Sequence, residues 1–482
     1  MNPKGWVACM SVFGAILVLL GSVLLGCFPL LYNKILTQLM IVKEDSPSFE
    51  AFLSPPVPIY MQFFFFNVTN PEEIRLRGAK PNLTTVGPYT YLEVRQKYNL
   101  TWNETDGTVE YLDNKQYFFD ESLSEGHKES DQITTINAVM TSLGSKIDGL
   151  PPAIKALVEM IFLRFGEELF ITRSVEELTF KGYEEPLLAH ITKLTGEAAE
   201  NNGRFGFFYP RLCTAAKNYR DRQGRLYGLG QITAWDGKPT LSFWPNIVDN
   251  NPNELDQYCN MINGTDGSMY GPGVTKDDIL YIYDSMLCRS MHLTYEKDIE
   301  FHGLPVMRFI PPEDMLENPE INNDNLCYCS PDRSNCLGAG FLNMAPCAAG
   351  APVVMSTPHF YQGDKEELDK LIGLNPIKER HETILDVEPR TGVTMRAAKR
   401  IQVNVPLRQY GNLPSFKNVP EVIFPILFVN ESVELSKEDI ELVMKGVYLP
   451  FTIVDAVCGV FIAIGGVLLI SAAVKFFRIK NQ

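Results

Sequence analysis

The sequence of 482 residues lacks the short motifs by which common catalytic centres are recognised. It contains no G-x-S-x-G nucleophile turn, no H-E-x-x-H zinc helix and no glycine-rich phosphate loop. Histidine is scarce, and each of the six histidines is better explained as a hydrogen-bonding residue than as a catalyst. We therefore expect no enzymatic activity, no cofactor and no metal, although the abundant carboxylates leave an unrecognised acid pair open.

Clusters of positive charge are also missing. The chain has 43 Lys and Arg residues against 58 Asp and Glu residues, which gives a formal net charge of -15. A surface with this charge repels nucleic acid and anionic membrane surfaces. No stretch combines basic residues with aromatic ones, so nucleic acid is not expected as a partner.

Two long hydrophobic runs stand out, at residues 6–31 and 447–474. A helix needs roughly 20 apolar residues to cross the hydrocarbon core of a bilayer. The first run is too long for a cleaved signal, and the basic residues after the second indicate a cytoplasmic end. We predict transmembrane helices at 6–31 and 447–474, cytoplasmic segments at 1–5 and 475–482, and an extracellular or luminal domain at 32–445.

Two alternatives concern the ends of these runs. Residues 24–27 resemble a bacterial lipoprotein cleavage box, and lipid-anchor signals also end in an apolar run. The basic tail that follows the second run favours a spanning helix instead. Small residues four positions apart, Ser22 with Gly26 and Gly459 with Ala463, are the expected contact points between the two helices.

Residues 32–445 have features of the secretory pathway. Seven of the ten cysteines lie here, at positions 213, 259, 288, 327, 329, 336 and 347. An oxidising compartment would make 259–347 a disulfide-rich region, whose connectivity the spacing alone does not give. A metal site is less favoured, because Cys327 and Cys329 lack a second matched pair. Six acceptor sites for N-glycosylation lie between the predicted spans, at Asn67, Asn82, Asn99, Asn103, Asn263 and Asn430.

The hydrophobic pattern divides this domain into strands and one helical block. Residues 59–68 and 87–119 have strand patterns, whereas the block 131–200 changes to helical spacing from Ile133 onward. Asp236-Gly237 indicates a hairpin between 231–235 and 240–244, and Ser436 with Asp439 forms a capping box ahead of the second span. The predicted fold class is α+β, with a large, mainly antiparallel β-domain and a helical insertion.

Several motifs in order resemble the class B scavenger receptor family. They are IYMQFFFFNVTNPEEI (59–74), GPYTY (87–91), CNMINGTDG (259–267), CRSM (288–291), PHFYQ (358–362) and LDVEPRTG (385–392). The resemblance covers nearly the whole chain. Residues 336–362 are most similar to the lysosomal integral membrane protein of that family, whose other members handle fatty acids and lipoproteins.

The resemblance implies a β-barrel-like external domain with a helical bundle at its membrane-distal end and a lipid-carrying tunnel inside. It implies that block 131–200 is this apical bundle. It also implies disulfides between Cys259 and Cys327, Cys288 and Cys347, and Cys329 and Cys336, with Cys213 unpaired. Arg164 falls where fatty-acid-binding members have a basic residue, although a solvated helix-face charge is the alternative.

The function expected from the resemblance is that of a membrane glycoprotein that binds lipids and conducts them to the bilayer. The expected partners are fatty acids, cholesterol, phospholipids or lipoprotein particles. The alternative is a sorting receptor that binds a hydrolase through its helical apex. Residues 131–195 contain nine acids against six basic residues, which argues against capture of polyanions. The tail at 475–482 has no leucine for a dileucine signal, so the plasma membrane is expected, with the lysosome or late endosome as the alternative.

Overall fold

The structure, a computed structural model, describes residues 3–195, 203–209, 222–227, 229–247 and 251–480. Most of the longer helices lie at the two ends of the chain and between residues 138 and 195. The helices are α1 Pro3–Met40, α2 Ser48–Leu53, α3 Pro71–Arg77, α4 Ala138–Lys146, α5 Pro152–Phe165, α6 Pro186–Thr195, α7 Lys365–Asp369, α8 Lys378–His381, α9 Lys437–Val443 and α10 Leu449–Lys480. Two π-helical turns lie at Glu177–Lys181 and Met444–Tyr448, and 3-10 turns lie at Glu313–Leu316, Asn323–Tyr328, Arg333–Asn335, Pro358–Phe360 and Pro414–Phe416.

The strands are more numerous, and most of them pair in one large sheet. They are β1 Ile59–Val68, β2 Leu83–Asn103, β3 Thr108–Phe119, β4 Gln132–Ile136, β5 Phe170–Ser174, β6 Tyr183–Glu184, β7 Arg204–Phe205, β8 Arg222–Tyr227, β9 Gln231–Trp235, β10 Pro245–Asn246, β11 Asn251–Leu255, β12 Leu280–Asp284, β13 Arg289–Phe301, β14 Leu304–Ile310, β15 Phe341–Asn343, β16 Val354–Ser356, β17 Ile384–Val387, β18 Thr394–Leu407 and β19 Val422–Glu434. Neighbouring strands of the large sheet run antiparallel, in the order β12-β13-β14-β17-β18-β19-β1-β2-β3-β8-β9, and β15 joins through β16 to β18.

The large sheet curls so that its two end strands approach the same segment. The backbone N–H of Ile232 in β9 donates to Gly264 O at 2.8 Å, and that of Thr265 donates to Tyr281 O of β12 at 3.1 Å. A side chain at Gly264, which has φ +105°, would place its Cβ 2.3 Å from the Tyr281 carbonyl. Glycine is therefore required where the curl is completed. The expectation of an α+β fold built on an antiparallel, barrel-like sheet is confirmed.

Strand β1 lies at the middle of this sheet, between β19 and β2. Its side chains Met61, Phe63 and Phe65 alternate along one face and are fully buried. Burying an apolar side chain of this size contributes roughly 1.5–3 kcal/mol. The strand expected at 59–68 is thus confirmed, and it forms the core on which the other strands pack.

The two long helices, α1 and α10, are each long and apolar enough to span a membrane. They pack against each other along most of their length, but the predicted contact points were wrong. A Cβ at Gly14 would lie 2.8 Å from Gly465 O, and one at Gly21 would lie 3.0 Å from Cys458 O, whereas Gly26 and Gly459 have open space. The close contacts recur every seven residues, because that spacing keeps one face of each helix toward its neighbour.

The block at 131–195, here called the helical block, begins differently from the expectation. Residues 132–136 form strand β4, which pairs with β5, so a helix from Ile133 was the wrong interpretation. Helix α4 starts only at Ala138, where Asn137 Oδ1 accepts the N–H of Met140 at 3.0 Å as an N-cap. Isoleucines three residues apart share one face of a helix but lie on opposite faces of a strand. Here both are buried, so the strand is covered on both faces, and its pairing with β5 overrides the helical spacing.

The hairpin expected around Asp236-Gly237 is present only as its turn. Both residues have positive φ, but residues 240–244 form no second strand, and β9 pairs with β8 instead. Asn260 Oδ1 accepts the N–H groups of Phe243 and Trp244 at 3.0 and 3.1 Å. These amides are therefore satisfied by a side chain instead of a neighbouring strand. The capping box of Ser436 and Asp439 is confirmed at the start of α9.

Candidate functional site

Helix α5 exposes an apolar stripe to solvent. Its exposed members, every third residue from Ile154 to Leu163, are accessible over 41–74 % of their surface: Ile154, Leu157, Met160 and Leu163. The opposite side of the helix, with Val158 and Phe162, is buried. A contiguous exposed apolar surface on a folded domain marks a place where another molecule binds. We call these four residues the α5 stripe.

Arg164 follows Leu163 at the C-terminal end of α5. It is exposed, and its guanidinium carbon lies 5.9 Å from the centroid of the Phe165 ring. The residue thus borders the α5 stripe, where its charge is available to an anionic group on a bound molecule. Its role in ligand binding stays a prediction.

A pocket of about 300 Å³ lies beside the buried edge of α5. Its lining residues come from α5 and from the segment before the 3-10 turn at Pro414–Phe416: Pro152, Lys155, Ala156, Glu159, Gly411, Asn412 and Pro414. Lys155 Nζ lies 3.7 Å from a carboxylate oxygen of Asp148, and Ser415 Oγ donates to Glu159 at 2.7 Å. The volume is at the lower end for small-molecule sites. Arg164 is not among the residues that line it.

A pair of carboxyl groups lies inside the helical block. Burial, together with the hydrogen bond and the charge of Glu167, raises the pKa of Glu185 to about 8. Asn137 Nδ2 donates to Glu167 at 3.0 Å. Glu185 therefore keeps a proton at neutral pH, since two carboxylates this close do not both ionise readily.

Aromatic rings of the sheet pack against rings from segments that lie outside it. Phe180, from the π-helical turn Glu177–Lys181, packs against Tyr91 and Tyr117 with centroids 5.0 and 4.9 Å apart. Phe63 contacts Phe180 and Phe208 at 5.6 and 5.1 Å. We call these five residues the aromatic cluster. All are buried, and they belong to the same hydrophobic core as Val158 and Phe162 of α5.

Beyond the aromatic cluster, the inner face of the sheet carries charges. Arg95 Nε and Lys115 Nζ lie 2.7 and 3.1 Å from Glu93 Oε1, and Arg95 also pairs with Glu431. Lys399 Nζ lies 2.5 Å from Glu431 and 3.0 Å from Asp284. The residues of this interior belt are Glu93, Arg95, Lys115, Asp284, Lys399 and Glu431.

The ion pair between Lys399 and Asp284 indicates that the belt lies inside the curled sheet. These residues lie on β18 and β12, which are separated in the sheet by β14, β13 and β17. Their ion pair must therefore cross the inside of the curled sheet. Burial by itself would raise the pKa of Glu431 and lower that of Lys399, but the opposite charges beside each overcome this and keep both ionised.

A comparison with protein families gives a match to the model of the CD36 family over residues 12–476. The chain belongs to the CD36 family. Lysosome membrane protein 2 of Homo sapiens is 36% identical over 403 residues, which cover 83% of this chain and 80% of that protein. Scavenger receptor class B member 1 of Sus scrofa is 30% identical over 481 residues, covering 98% and 90%. The resemblance to class B scavenger receptors is confirmed, and the chain is a membrane protein with a receptor role.

In this CD36-family chain, the cysteines at 259–347 are joined in the three pairs that the resemblance implies. The Cα atoms are 6.5 Å apart in Cys259–Cys327, 6.4 Å in Cys288–Cys347 and 4.3 Å in Cys329–Cys336. Trp244 packs among these bridges, and its indole N–H donates to Cys288 O at 2.8 Å. Cys213 lies outside the described residues.

The six glycosylation sites differ in accessibility. Asn82, Asn99 and Asn103 are exposed, whereas Asn67, Asn263 and Asn430 are half-buried. Asn430 Nδ2 donates to Gln62 Oε1 at 2.9 Å, and a glycan at this site would attach to that same nitrogen. Glycosylation stays a prediction at all six positions, and the geometry makes it least favourable at Asn430.

Two groups of charged residues were missed by reasoning from the sequence. The interior belt could have been suspected from the sequence, because Glu93, Arg95 and Lys97 place charges at every second position of a strand. The other is in the LDVEPRTG motif, where Arg308 and Arg396 both pair with the buried Asp386 at 2.7 Å. Nothing in the local sequence shows that these arginines, from two other strands, converge on Asp386.

Proposed function

We propose that this protein is a receptor that takes up lipid, or lipid-bearing particles, at its helical block and conducts lipid through the inside of its β-sheet to the membrane. The observation that carries the proposal is the α5 stripe, an apolar surface left open to solvent. Membership in a family whose relatives are named scavenger receptors agrees with it. The partners proposed are fatty acids, cholesterol, phospholipids or lipoprotein particles, and the proposed location is the plasma membrane.

The physical basis is the cost of moving lipid through water. Each exposed methylene costs about 0.8 kcal/mol, so a lipid that moves from particle to bilayer needs continuous apolar cover. The α5 stripe supplies an apolar landing surface, and the curled sheet supplies an enclosure attached to two candidate spans. The aromatic cluster shares one core with the buried side of α5, so conduction from the α5 stripe into the sheet would require rings such as Phe180 to move aside.

The α5 stripe provides the test of this function. We expect Leu157→Ser with Leu163→Ser to lower capture of fluorescent phosphatidylcholine–oleate emulsions at least tenfold in cells that express the full chain. Two leucines of this size contribute roughly 1.5–3 kcal/mol each when they are covered. The matched control is Ile279→Ser with Ile321→Ser, which removes apolar residues as exposed as these from elsewhere on the surface. Equal capture by both variants at equal surface expression would contradict the proposal.

A second function uses the same surface. The α5 stripe has the form of a helix face that packs into a groove of a partner protein, and the acidic excess of the helical block gives it a polar rim. This favours the alternative of a sorting receptor that binds a hydrolase. A photoreactive leucine analogue at position 157 of the full chain distinguishes the two functions. We expect lipid adducts, whereas one predominant protein adduct would favour the sorting receptor.

A further inference from the structure

The interior belt does not expose its positive and negative members equally. The cationic side chains Arg95, Lys115 and Lys399 are accessible over 17, 22 and 26 % of their surface. The carboxylates that pair with them, Glu93, Asp284 and Glu431, are accessible over only 0, 5 and 10 %. The belt therefore presents its cations toward open space and covers its anions.

The accessible surface of these cations is on the inner face of the curled sheet. Arg95 and Lys399 are surrounded by protein, and yet part of each side chain stays accessible. The Lys399–Asp284 pair crosses the inside of the curled sheet, so the accessible cation surface faces this interior. The attraction within an ion pair is strongest when both partners are shielded from water. Cations left accessible at such depth suit a second, transient anion.

The covered carboxylates also have other partners. Asp284 Oδ1 accepts the backbone N–H of Met286 at 2.8 Å, so Lys399 is not its sole source of stabilisation. Within the belt, Lys115 pairs with Glu93 alone, and Glu93 is also held by Arg95. A lysine ammonium has three N–H donors, which leaves Lys115 able to bind a further oxyanion without releasing Glu93.

We propose that Arg95, Lys115 and Lys399 form a binding site for the anionic head of a lipid inside the sheet. This inference rests on the proposed lipid-conducting function and adds the chemical class of the cargo. The head is an oxyanion, either the carboxylate of a fatty acid or the phosphate of a phospholipid, because Arg and Lys bind both through charge-assisted hydrogen bonds. An uncharged sterol has no group for these cations.

The aromatic cluster completes the site from the other side. Tyr91 belongs to it and lies two positions before Glu93 on the same face of β2, and Phe63 lies on the neighbouring strand β1. A lipid whose head lies at the belt has these rings within reach of its acyl chain. The site thus combines an apolar wall with a cationic end, which is what an amphiphile requires.

The test uses the full chain in detergent micelles and three photoreactive probes: oleic acid, phosphatidylcholine and cholesterol. Adducts are mapped by mass spectrometry, and those on α1 and α10 serve as an internal standard for boundary lipid. We expect oleic acid, phosphatidylcholine or both to label β2, β3, β18 and β19 in the wild type. Which of the two labels these strands identifies the source of the oxyanion.

The variants separate charge from folding. We expect Lys115→Met to lower this labelling at least fivefold, and Lys115→Arg to retain at least half of it. Lys276→Met is the matched control, since Lys276 pairs with the exposed Asp298, and it should label as the wild type does. If Lys115→Met folds poorly, Lys399→Met with Glu431→Gln removes one charge of each sign and should give the same loss.

Three other labelling results would contradict the proposed site, the anionic head or the proposed conduction. Unchanged labelling in Lys115→Met and in the Lys399→Met, Glu431→Gln variant would overturn the proposed site. Labelling of the strands by cholesterol alone would overturn the anionic head but leave lipid conduction intact. If no probe labels the strands of the wild type, the proposed conduction itself fails, and the site fails with it.

Discussion

Replacing Asp386 by alanine is expected to lower the free energy of unfolding by about 3–5 kcal/mol, the usual cost of removing one partner of a buried ion pair. Asp386 is fully buried and accepts from Arg308 Nε at 2.7 Å and from Arg396 Nε at 2.8 Å. A guanidinium group does not lose its proton in a protein, so both arginines stay charged when the carboxylate is lost. Two guanidinium groups would then face each other across β17 without the carboxylate of Asp386 between them.

The measurement is urea unfolding of the purified full chain, followed by the fluorescence of tryptophan. Trp244 is a suitable probe because it is fully buried and packs on Tyr328 at 4.8 Å. Asp298→Ala, which removes an exposed partner of Lys276, should change stability by less than about 1 kcal/mol. Replacing all three members of the cluster by apolar residues should recover most of the loss. A change at Asp386 no larger than that at Asp298 would contradict the interpretation.

Acidification to pH 5 is expected to destabilise the external domain through two buried histidines. His359 and His381 stack with ring centroids 4.4 Å apart and are almost fully buried. Each Nδ1 accepts a backbone N–H, from Asn375 at 3.0 Å and from Ile377 at 2.9 Å. Both rings are therefore neutral in the folded protein.

The direction of the effect follows from the pKa values. Burial lowers the pKa of His359 to about 3, with a contribution from His381. Burial and then the charges of Arg400 and Arg380 lower the pKa of His381 to about 4. The unfolded chain binds these protons near pH 6.5, so stability is full above that pH and decreases as the pH falls toward 4. At pH 5 each ring costs about 2 kcal/mol at the linkage slope of about 1.4 kcal/mol per pH unit.

The variant that isolates this effect is His359→Asn with His381→Asn. The amide oxygen replaces Nδ1 as acceptor and binds no proton, and asparagine tolerates the φ of 54° at residue 359. We expect urea unfolding of the wild type to lose about 4 kcal/mol more than the variant between pH 7.5 and pH 5. His302→Asn, at a more exposed site, should behave as the wild type does. Identical pH dependence in all three proteins would show that the two rings do not control acid stability.

Glu185 has the opposite effect on the pH dependence of stability. The quantity to compare is therefore the difference in stability between the wild type and the asparagine variant. Its pKa is raised to about 8 by burial and by Glu167, so its contribution is present at acid pH and is lost as the pH rises through 8. The wild-type curve alone mixes the two effects. Subtracting the curve of the asparagine variant removes the carboxyl contribution, because Glu185 is the same in both proteins.

Structural elements that depend on residues adjacent in the sequence could be predicted from the sequence. Strand β1 follows from alternating apolar residues, the cap of α9 follows from Ser436 and Asp439, and the two spans follow from their length. The beginning of the helical block was not predictable, because Ile133 and Ile136 have helical spacing but lie in a strand that is buried on both faces. The α5 stripe shows the same limit, since Leu157 and Val158 are equally apolar and only packing decides which one is covered.

The two candidate spans, the antiparallel β-character, the helical insertion and, through its motifs, the family can be inferred from the amino-acid sequence. These properties are local, because periodicity, turns and hydrophobic length depend on adjacent residues. That Glu93, Lys399 and Asp284 meet in one belt, and that Gly14 contacts Gly465, becomes visible in the folded chain alone. Such contacts join residues hundreds of positions apart, and they exist because the sheet curls and the two termini return to the same membrane.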